Sequence, residues 1–475
     1  MSCASHRWAG YATIALLLGA PLTIHYAIGC SARLDPPEIE LAPETVEQVR
    51  PNLSRIGASY LLRRNKLLQV GLVGRPEQVG YAHAQLLRQE MLQVERALQE
   101  RFRQHVSWAV ARMLLLDIAQ YRYRNIDHGL SAARKLECAS MAVALEPDPL
   151  RHFLPTYQRL VYLAALYDIG LSFEHSPLVG CSSFVISGTA RSEGGALLAR
   201  TFDFSVDEIF DERKAVFLVR EEGMIPFASV AWPGLVGVVT GMNAAGVAVV
   251  VHGARAGEPQ TTGEPVVHAL RRVLSVARTT EEAVATLLQR DAMVSHIVIV
   301  ADAQGRAVAV ERLAGRNAHP RWLGPLAAVT NHFEGPAAAD PRNQRVRHET
   351  SSLARRRRGD ELLAALEPPI SVSDALQILR DRRGPGGQSL PLGDRRAIDA
   401  LIATHGVVMD TAARVLWVSE GPHLLGRFVA FDLHELLSRS YNPLSAPSRL
   451  PALAPDPLLS GGEYARWRAQ SADGE

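Results

Sequence analysis

The stretch Leu178-Val179-Gly180-Cys181-Ser182-Ser183-Phe184-Val185-Ile186-Ser187-Gly188 constrains this chain more than any other. A glycine–cysteine pair stands directly before a run of strand-forming residues. A Gly194-Gly195 turn follows, and then a second strand pattern, Ala196 to Phe204, which carries Arg200 and Asp203. Upstream of Cys181 the pattern is helical; downstream, short strands follow one another closely. Cys181 therefore reads as a latent nucleophile, exposed when the Gly180–Cys181 peptide bond breaks.

The chain has 475 residues, enough for one large domain or two ordinary ones, and 47% hydrophobic residues supply a substantial core. Lys and Arg number 51 against 49 Asp and Glu, so no basic excess points to a nucleic-acid partner. The one basic run, Arg355 to Arg358, reads as a solvated helix face. The four cysteines (Cys3, Cys30, Cys138 and Cys181) contain no CxxC pair, which argues against zinc. Two of them sit in a targeting segment, which argues against a disulfide framework. Cys138 reads as a thiol buried in a helix.

Residues 1–30 read as an export segment. His6 and Arg7 precede an uncharged, mostly apolar run from Trp8 to Gly29, with signal-peptide character at Ala12 to Ala20. The run ends in Ala27-Ile28-Gly29-Cys30, which resembles a bacterial lipoprotein processing site with Cys30 as the lipidated residue. A retained membrane span and plain secretion are the alternatives. All three place the protein outside the cytoplasm.

Residues 31–45 are Pro-rich and acidic and read as a linker. From 46 to 180 the pattern predicts helices: Gln85–Leu116, then Ile126–Leu145, then Pro155–Leu171. After Cys181 it predicts strands at Ser183–Ser187, Ala196–Phe204, Ala215–Arg220, Phe227–Trp232, Val236–Gly241 and Val247–His252. Two helices between Glu264 and Gln289 follow, split by a capping pattern at Thr279-Thr280-Glu281-Glu282. Next come a hairpin, Ser295–Ala301 with Arg306–Arg312, and a strand at Leu326–Thr330. Helices are expected at Thr350–Leu366, Ser373–Arg382 and Arg395–Ile402, and strands at Val407–Met409, Val415–Ser419 and Phe428–Phe431. The catalytic part would run from 181 to 442, with an irregular tail over 443–475. This is an α+β pattern of antiparallel sheets covered by helices.

Three readings of Cys181 compete: an inert buried thiol, a papain-like Cys paired with His175, His296 or His332, and an N-terminal nucleophile. A papain-like Cys opens a helix, whereas Cys181 opens a strand. The third reading accounts for the preceding glycine, which tolerates the strained backbone of self-attack. It also accounts for the long segment upstream. A freed α-amino group, with a reference pKa of about 8, is then a competent base near neutral pH.

Four motifs carry a resemblance: Gly180-Cys181-Ser182-Ser183-Phe184, Leu198-Ala199-Arg200-Thr201-Phe202-Asp203-Phe204, Gly241-Met242-Asn243-Ala244-Ala245-Gly246 and Thr330-Asn331-His332-Phe333. In this order they resemble the acyl-coenzyme A:6-aminopenicillanic acid acyltransferase (isopenicillin N acyltransferase) family, and more distantly choloylglycine hydrolases and acid ceramidase. The resemblance runs from about Gly74 to Leu436. It implies an N-terminal-nucleophile hydrolase fold, an αββα sandwich, and a precursor that cuts itself between Gly180 and Cys181 into associated α and β chains.

By the same resemblance Cys181 would be the nucleophile, Asp203 would orient its amino group, and Arg200 would sit beside the thiolate. Asn331 would donate to the oxyanion with Asn243 assisting. A Ser-x-x-Arg pattern fits Ser352 and Arg355, with Arg342 and Arg345 close by. Phe184, Phe202, Phe204, Trp232 and Phe333 are candidates to line an acyl pocket. The expected partners are a small acyl-amide substrate and a membrane at the N-terminal anchor. No metal or organic cofactor is required. A non-catalytic binding module that keeps the fold is the alternative from another class.

Overall fold

The computed structural model describes residues 23–173, 179–204, 207–316, 318–444 and 450–472. The export run up to residue 22, Cys3, His175 and Leu178 lie outside the described residues.

The first elements are strands, not helices. Glu47–Arg50 (β1), Leu53–Ile56 (β2), Ser59–Arg64 (β3) and Leu67–Gly74 (β4) form an antiparallel meander. This corrects the all-helical expectation for 46–180. Leu61 to Leu68 is rich in residues that favour helices, but Gly57 and Asn65 take positive φ at the turns and break the run. Pairing then decides the outcome: β4 lies parallel to Ala215–Glu221, which comes from beyond Cys181. The Pro-rich stretch before β1 is irregular but packed, with Ala32 and Leu34 buried.

Helices follow: Pro76–His105 (α1), Ala109–Arg122 (α2), Ala132–Ala144 (α3), Thr156–Ala164 (α4) and Leu166–Leu171 (α5). The central hairpin is Val179–Ser187 (β5) and Ala196–Phe204 (β6), turned at Gly194 and Gly195, both at positive φ. The chain continues through a short helix, Ile209–Glu212 (α6), into Ala215–Glu221 (β7), Phe227–Ala231 (β8), Thr240–Asn243 (β9) and Ala248–Gly253 (β10). Val266–Val276 (α7) and Thr280–Leu288 (α8) are separated where expected, and Thr279 caps the second through the Glu282 N–H.

His296–Ala301 (β11) and Ala307–Arg312 (β12) form the expected hairpin, extended by His319–Trp322 (β13), which the sequence reading missed. Leu326–Val329 (β14), Pro341–Glu349 (α9), Ser352–Ala364 (α10) and Val372–Leu379 (α11) lead to Ala403–Asp410 (β15), Val415–Ser419 (β16) and Phe428–Asp432 (β17). The helix expected over Arg395–Ile402 is irregular chain. The tail is not irregular throughout: Leu433–Leu436 (α12) is followed by Pro457–Ser460 (α13) and Glu463–Ala472 (α14). There Tyr464 packs into a small core with Leu401 and Leu425.

Two sheets result, ordered β1-β2-β3-β4-β7-β8-β9-β10-β11-β12-β13 and β14-β5-β6-β15-β16-β17. Side chains alternate between faces along a strand, and here both faces are used. On β7, Val216 and Leu218 point to the other sheet, whereas Ala215, Phe217 and Val219 meet helices. The inter-sheet core joins them to Val185, Leu198, Val407 and Met409 of the smaller sheet. α1, α3, α4 and α7 cover the outer face of the large sheet. α10 and α11 cover that of the small one, over Phe184, Ile186 and Leu197. The architecture is α+β with layers αββα.

One buried polar contact between segments that flank Cys181 sets a pH dependence. Both carboxylate oxygens of Asp168 (α5) accept from the Val266 N–H at the start of α7, at 3.2 and 3.0 Å. Burial raises the Asp168 pKa to about 7. The folded state therefore binds this proton more tightly than the unfolded state, and the stability gained is fully present below about pH 4. It is lost as pH rises through about 7. Asp168→Asn is expected to flatten this part of the profile, gaining on the native protein as pH rises across that window. Urea denaturation at several pH values checks it; parallel profiles would remove Asp168 as the source.

Candidate active site

The site is assembled by the register of one hairpin. Across β5 and β6, Gly180 lies opposite Asp203, Cys181 opposite Phe202 and Ser183 opposite Arg200. Alternation sends Cys181, Ser183, Arg200 and Phe202 into the space between the sheets. It sends Ser182, Thr201 and Asp203 to the other face.

Cys181 is fully buried, and its Sγ lies 3.3 Å from Arg200 Nη2. Arg200 is itself fully buried. Its guanidinium donates to the carbonyls of Val239 (2.6 Å) and Val251 (2.8 Å) and to Thr240 Oγ1, and lies 4.3 Å over the Phe202 ring. It does not pair with Asp203, because the two side chains leave β6 on opposite faces. Burial pushes the Cys181 pKa up, while the charge and hydrogen bond of Arg200 pull it back; burial wins, so the group is held as a thiol.

Gly180 lies in regular extended strand, so its expected role as a strained residue is not what the fold uses. A Cβ there would lie 3.3 Å from Asp203 Oδ2. The glycine leaves room for the carboxylate beside the Gly180–Cys181 bond. Asp203 accepts from Thr201 Oγ1 at 2.6 Å, and burial raises its pKa against the opposing pull of Arg355.

Asn331 departs from its expected role. Its Oδ1 accepts from the Cys181 N–H (2.9 Å) and from Arg355 Nη2 (2.8 Å), and its Nδ2 donates to Gly253 O (2.9 Å). These three contacts fix the amide orientation, since a flip would set donor against donor. Asn331 is thus an acceptor on the Cys181 nitrogen, not a free donor for an oxyanion.

Arg355 reaches the site, whereas Arg342 bonds Gly257 O and Glu258. Arg355 is buried, not on a solvated face. It donates to Cys181 O and to Ser182 Oγ (2.8 Å). The Ser-x-x-Arg spacing places Ser352 and Arg355 on one face of α10. Ser352 Oγ accepts from the Asn331 N–H at 2.9 Å and contacts His332 Nδ1 at 2.8 Å, clamping the Thr330-Asn331-His332 turn.

Asn243 is corrected. Its Nδ2 donates to Leu274 O and Ala277 O, and its Oδ1 accepts from the Ala245 and Val247 N–H groups. All its capacity is spent on the β9–β10 turn and the end of α7. Phe184 belongs to the core under α10, and Phe333 to the inter-sheet core. Of the five, Phe202, Phe204 and Trp232 gather on the Cys181 side, with Phe210 and His405, at ring separations of 5.1 to 6.2 Å.

The sequence reading missed Thr240, His252 and His405. Thr240 Oγ1 links Arg200 to His405 Nε2 (2.9 Å). His252 takes Ser183 Oγ on Nε2 (2.7 Å) and Thr330 O on Nδ1 (3.0 Å). Burial holds both histidines neutral. No local pattern marks them; strand pairing alone brings them in. Among the described residues no histidine contacts Cys181 Sγ. His296 bonds Val294 O just ahead of its strand, and His332 bonds Ser352.

The two-sheet αββα sandwich, with a Gly–Cys bond at the head of an inner strand, is the fold that the resemblance implies. More narrowly, residues 190–391 match the family model described as acyl-coenzyme A:6-aminopenicillanic acid acyl-transferase, which bears out the resemblance over that segment. The match begins downstream of Cys181. No curated protein matches the chain.

Many solved structures are similar at low identity, three of them as follows. The N-acylethanolamine-hydrolyzing acid amidase ortholog of Caenorhabditis elegans is 16% identical, over 49% of this chain and 93% of that one, with TM-score 0.37. A mutant conjugated bile acid hydrolase from Clostridium perfringens is 11% identical, over 57% and 100%, with TM-score 0.35. Penicillin V acylase from Agrobacterium tumefaciens is 17% identical, over 55% and 88%, with TM-score 0.34.

Proposed function

We propose that the chain is a self-processing cysteine amide hydrolase or acyltransferase, made active by cleavage of its own Gly180–Cys181 bond. The observation that carries this is the setting of Cys181: thiol on Arg200, N–H on Asn331, carbonyl on Arg355, with Asp203 beside Gly180.

In processing, Sγ adds to the Gly180 carbonyl carbon and the C–N bond breaks. A thioester and a free α-amino group form; water then releases the Gly180 carboxylate and the Cys181 thiol. In turnover, the α-amino group takes the thiol proton and the thiolate attacks the substrate's acyl carbon. The leaving amine takes the proton, and water or an acceptor amine resolves the thioester. Two buried guanidinium groups flank this residue. They favour thiolate and disfavour ammonium, so the amine stays a neutral base near pH 7. Phe202, Phe204 and Trp232 would form an apolar wall for a small-molecule acyl-amide substrate.

After the cut, β1 to β4 would remain paired to β7, so the α and β chains would stay associated. The localisation proposed is outside the cytoplasm, with an N-terminal membrane anchor; Cys30, the candidate lipidation residue, is exposed.

N-terminal sequencing and intact mass of the purified protein test this. The expected result is a chain of about 32 kDa (the last 295 of 475 residues, scaled from 51.8 kDa) beginning Cys181-Ser182-Ser183. A single full-length chain with an unreactive Cys181 would favour a binding module instead. Asp203→Asn is expected to slow both processing and turnover, about tenfold or more. Unchanged rates would remove Asp203 from the mechanism.

A further inference from the structure

Helix α2 is inside out. Its buried positions are polar, Asp117 and Gln120. Its exposed positions are apolar: Val110 (61% exposed), Leu114, Leu115, Ile118 (60%) and Tyr121, with Trp108 (78%) at the head of the helix. Val110, Leu114, Ile118 and Tyr121 recur at helical spacing and form one continuous stripe. Folding leaves this stripe in water, and a stripe of this kind marks a contact surface.

The charge of the segment that carries the stripe says what it contacts. From Arg96 to Arg124 there are six arginines (96, 101, 103, 112, 122 and 124) against two acids, Glu100 and Asp117, a net charge of +4. Asp117 is buried and bonds His25 Nδ1 at 2.7 Å. That bond fixes the helical segment 23–31 against α2, with Ile24 and Tyr26 exposed as well. The described end of the N-terminal apolar run, residues 23–29, is thus tied to α2 through His25. A second copy of the chain would set one basic segment against another. An apolar stripe with Trp and Tyr on a basic segment, with Arg124 4.4 Å over the Tyr121 ring, suits the headgroup zone of an anionic bilayer. No helix among the described residues is long and apolar enough to cross a membrane, so this one would lie in the surface.

We infer that the Trp108–Tyr121 face is a docking surface for an anionic lipid membrane, a second contact besides the N-terminal run. The inference does not depend on the chemistry at Cys181.

The test uses the full-length protein and vesicles of brominated phosphatidylcholine, with and without phosphatidylglycerol. The chain has six tryptophans, so Trp108→Phe isolates the contribution of Trp108. The expected result is lipid quenching that shrinks in Trp108→Phe, grows with phosphatidylglycerol and falls with salt. Ile118→Asp, at an exposed position, is expected to weaken partitioning about tenfold with an unchanged circular dichroism spectrum. Equal quenching of the native protein and Trp108→Phe would mean that the N-terminal run binds alone, and would overturn the inference. So would equal binding to neutral and anionic vesicles, or a dimer in solution that Ile118→Asp disperses.

Discussion

A protein carrying Cys181→Ala is expected to remain one 51.8 kDa chain and to turn over no amide. The substitution removes the sulfur that Arg200 contacts and leaves the backbone of an already extended strand unchanged. The loss in rate should be about a thousandfold or more, the scale on which a covalent nucleophile acts. Cys138→Ala is the control: that thiol is buried, its pKa pushed up to about 12 by burial, and processing should proceed normally. Gel mobility and intact mass read both variants. A Cys181→Ala chain that still splits at this bond would assign the cut to another protease.

Glu221→Gln is expected to destabilise the fold by about 3–5 kcal/mol. Glu221 closes a buried ring of four charges. Arg134 bonds both Glu137 and Glu221; Arg271 bonds Glu137 Oε1 at 2.9 Å and Glu221 Oε2 at 3.0 Å. All four are nearly inaccessible to water. Neutralising Glu221 leaves two guanidinium groups to share one carboxylate in a medium that solvates neither. The ring joins α3, from before Cys181, to β7 and α7, from after it. In a processed protein the same variant should therefore loosen the association of the two chains. Denaturant melts before processing and size-exclusion chromatography after it separate the two effects. A change below about 1 kcal/mol would mean that water reaches the ring.

The hairpin around Cys181 was legible because everything that defines it is local: a strand pattern, a Gly-Gly turn and a second strand pattern. The places of Arg200 and Asp203 beside Cys181 came from the family resemblance, and the hairpin register accounts for them. Arg355 was likewise one of three arginines that the resemblance offered, and the helix face it shares with Ser352 is what brings it in. Asn331 was named, but its orientation was not, because that depends on Gly253 and Arg355 arriving from distant segments. Asn243 misled because a turn asparagine and a catalytic one look alike in sequence. The four strands before α1 were missed because helix-favouring composition was outweighed by pairing with a strand far along the chain, Ala215–Glu221.

By itself, then, the sequence determined the α+β alternation and the hairpin that carries Cys181, Arg200 and Asp203, since these depend on short-range geometry. The tertiary structure alone decided that Thr240, His252 and His405 stand around Arg200 and Ser183, that Asn331 accepts from the Cys181 N–H, and that α2 turns its apolar side outward. Each of these is set by which buried polar group a neighbour from far along the chain is able to satisfy, and no local pattern encodes that.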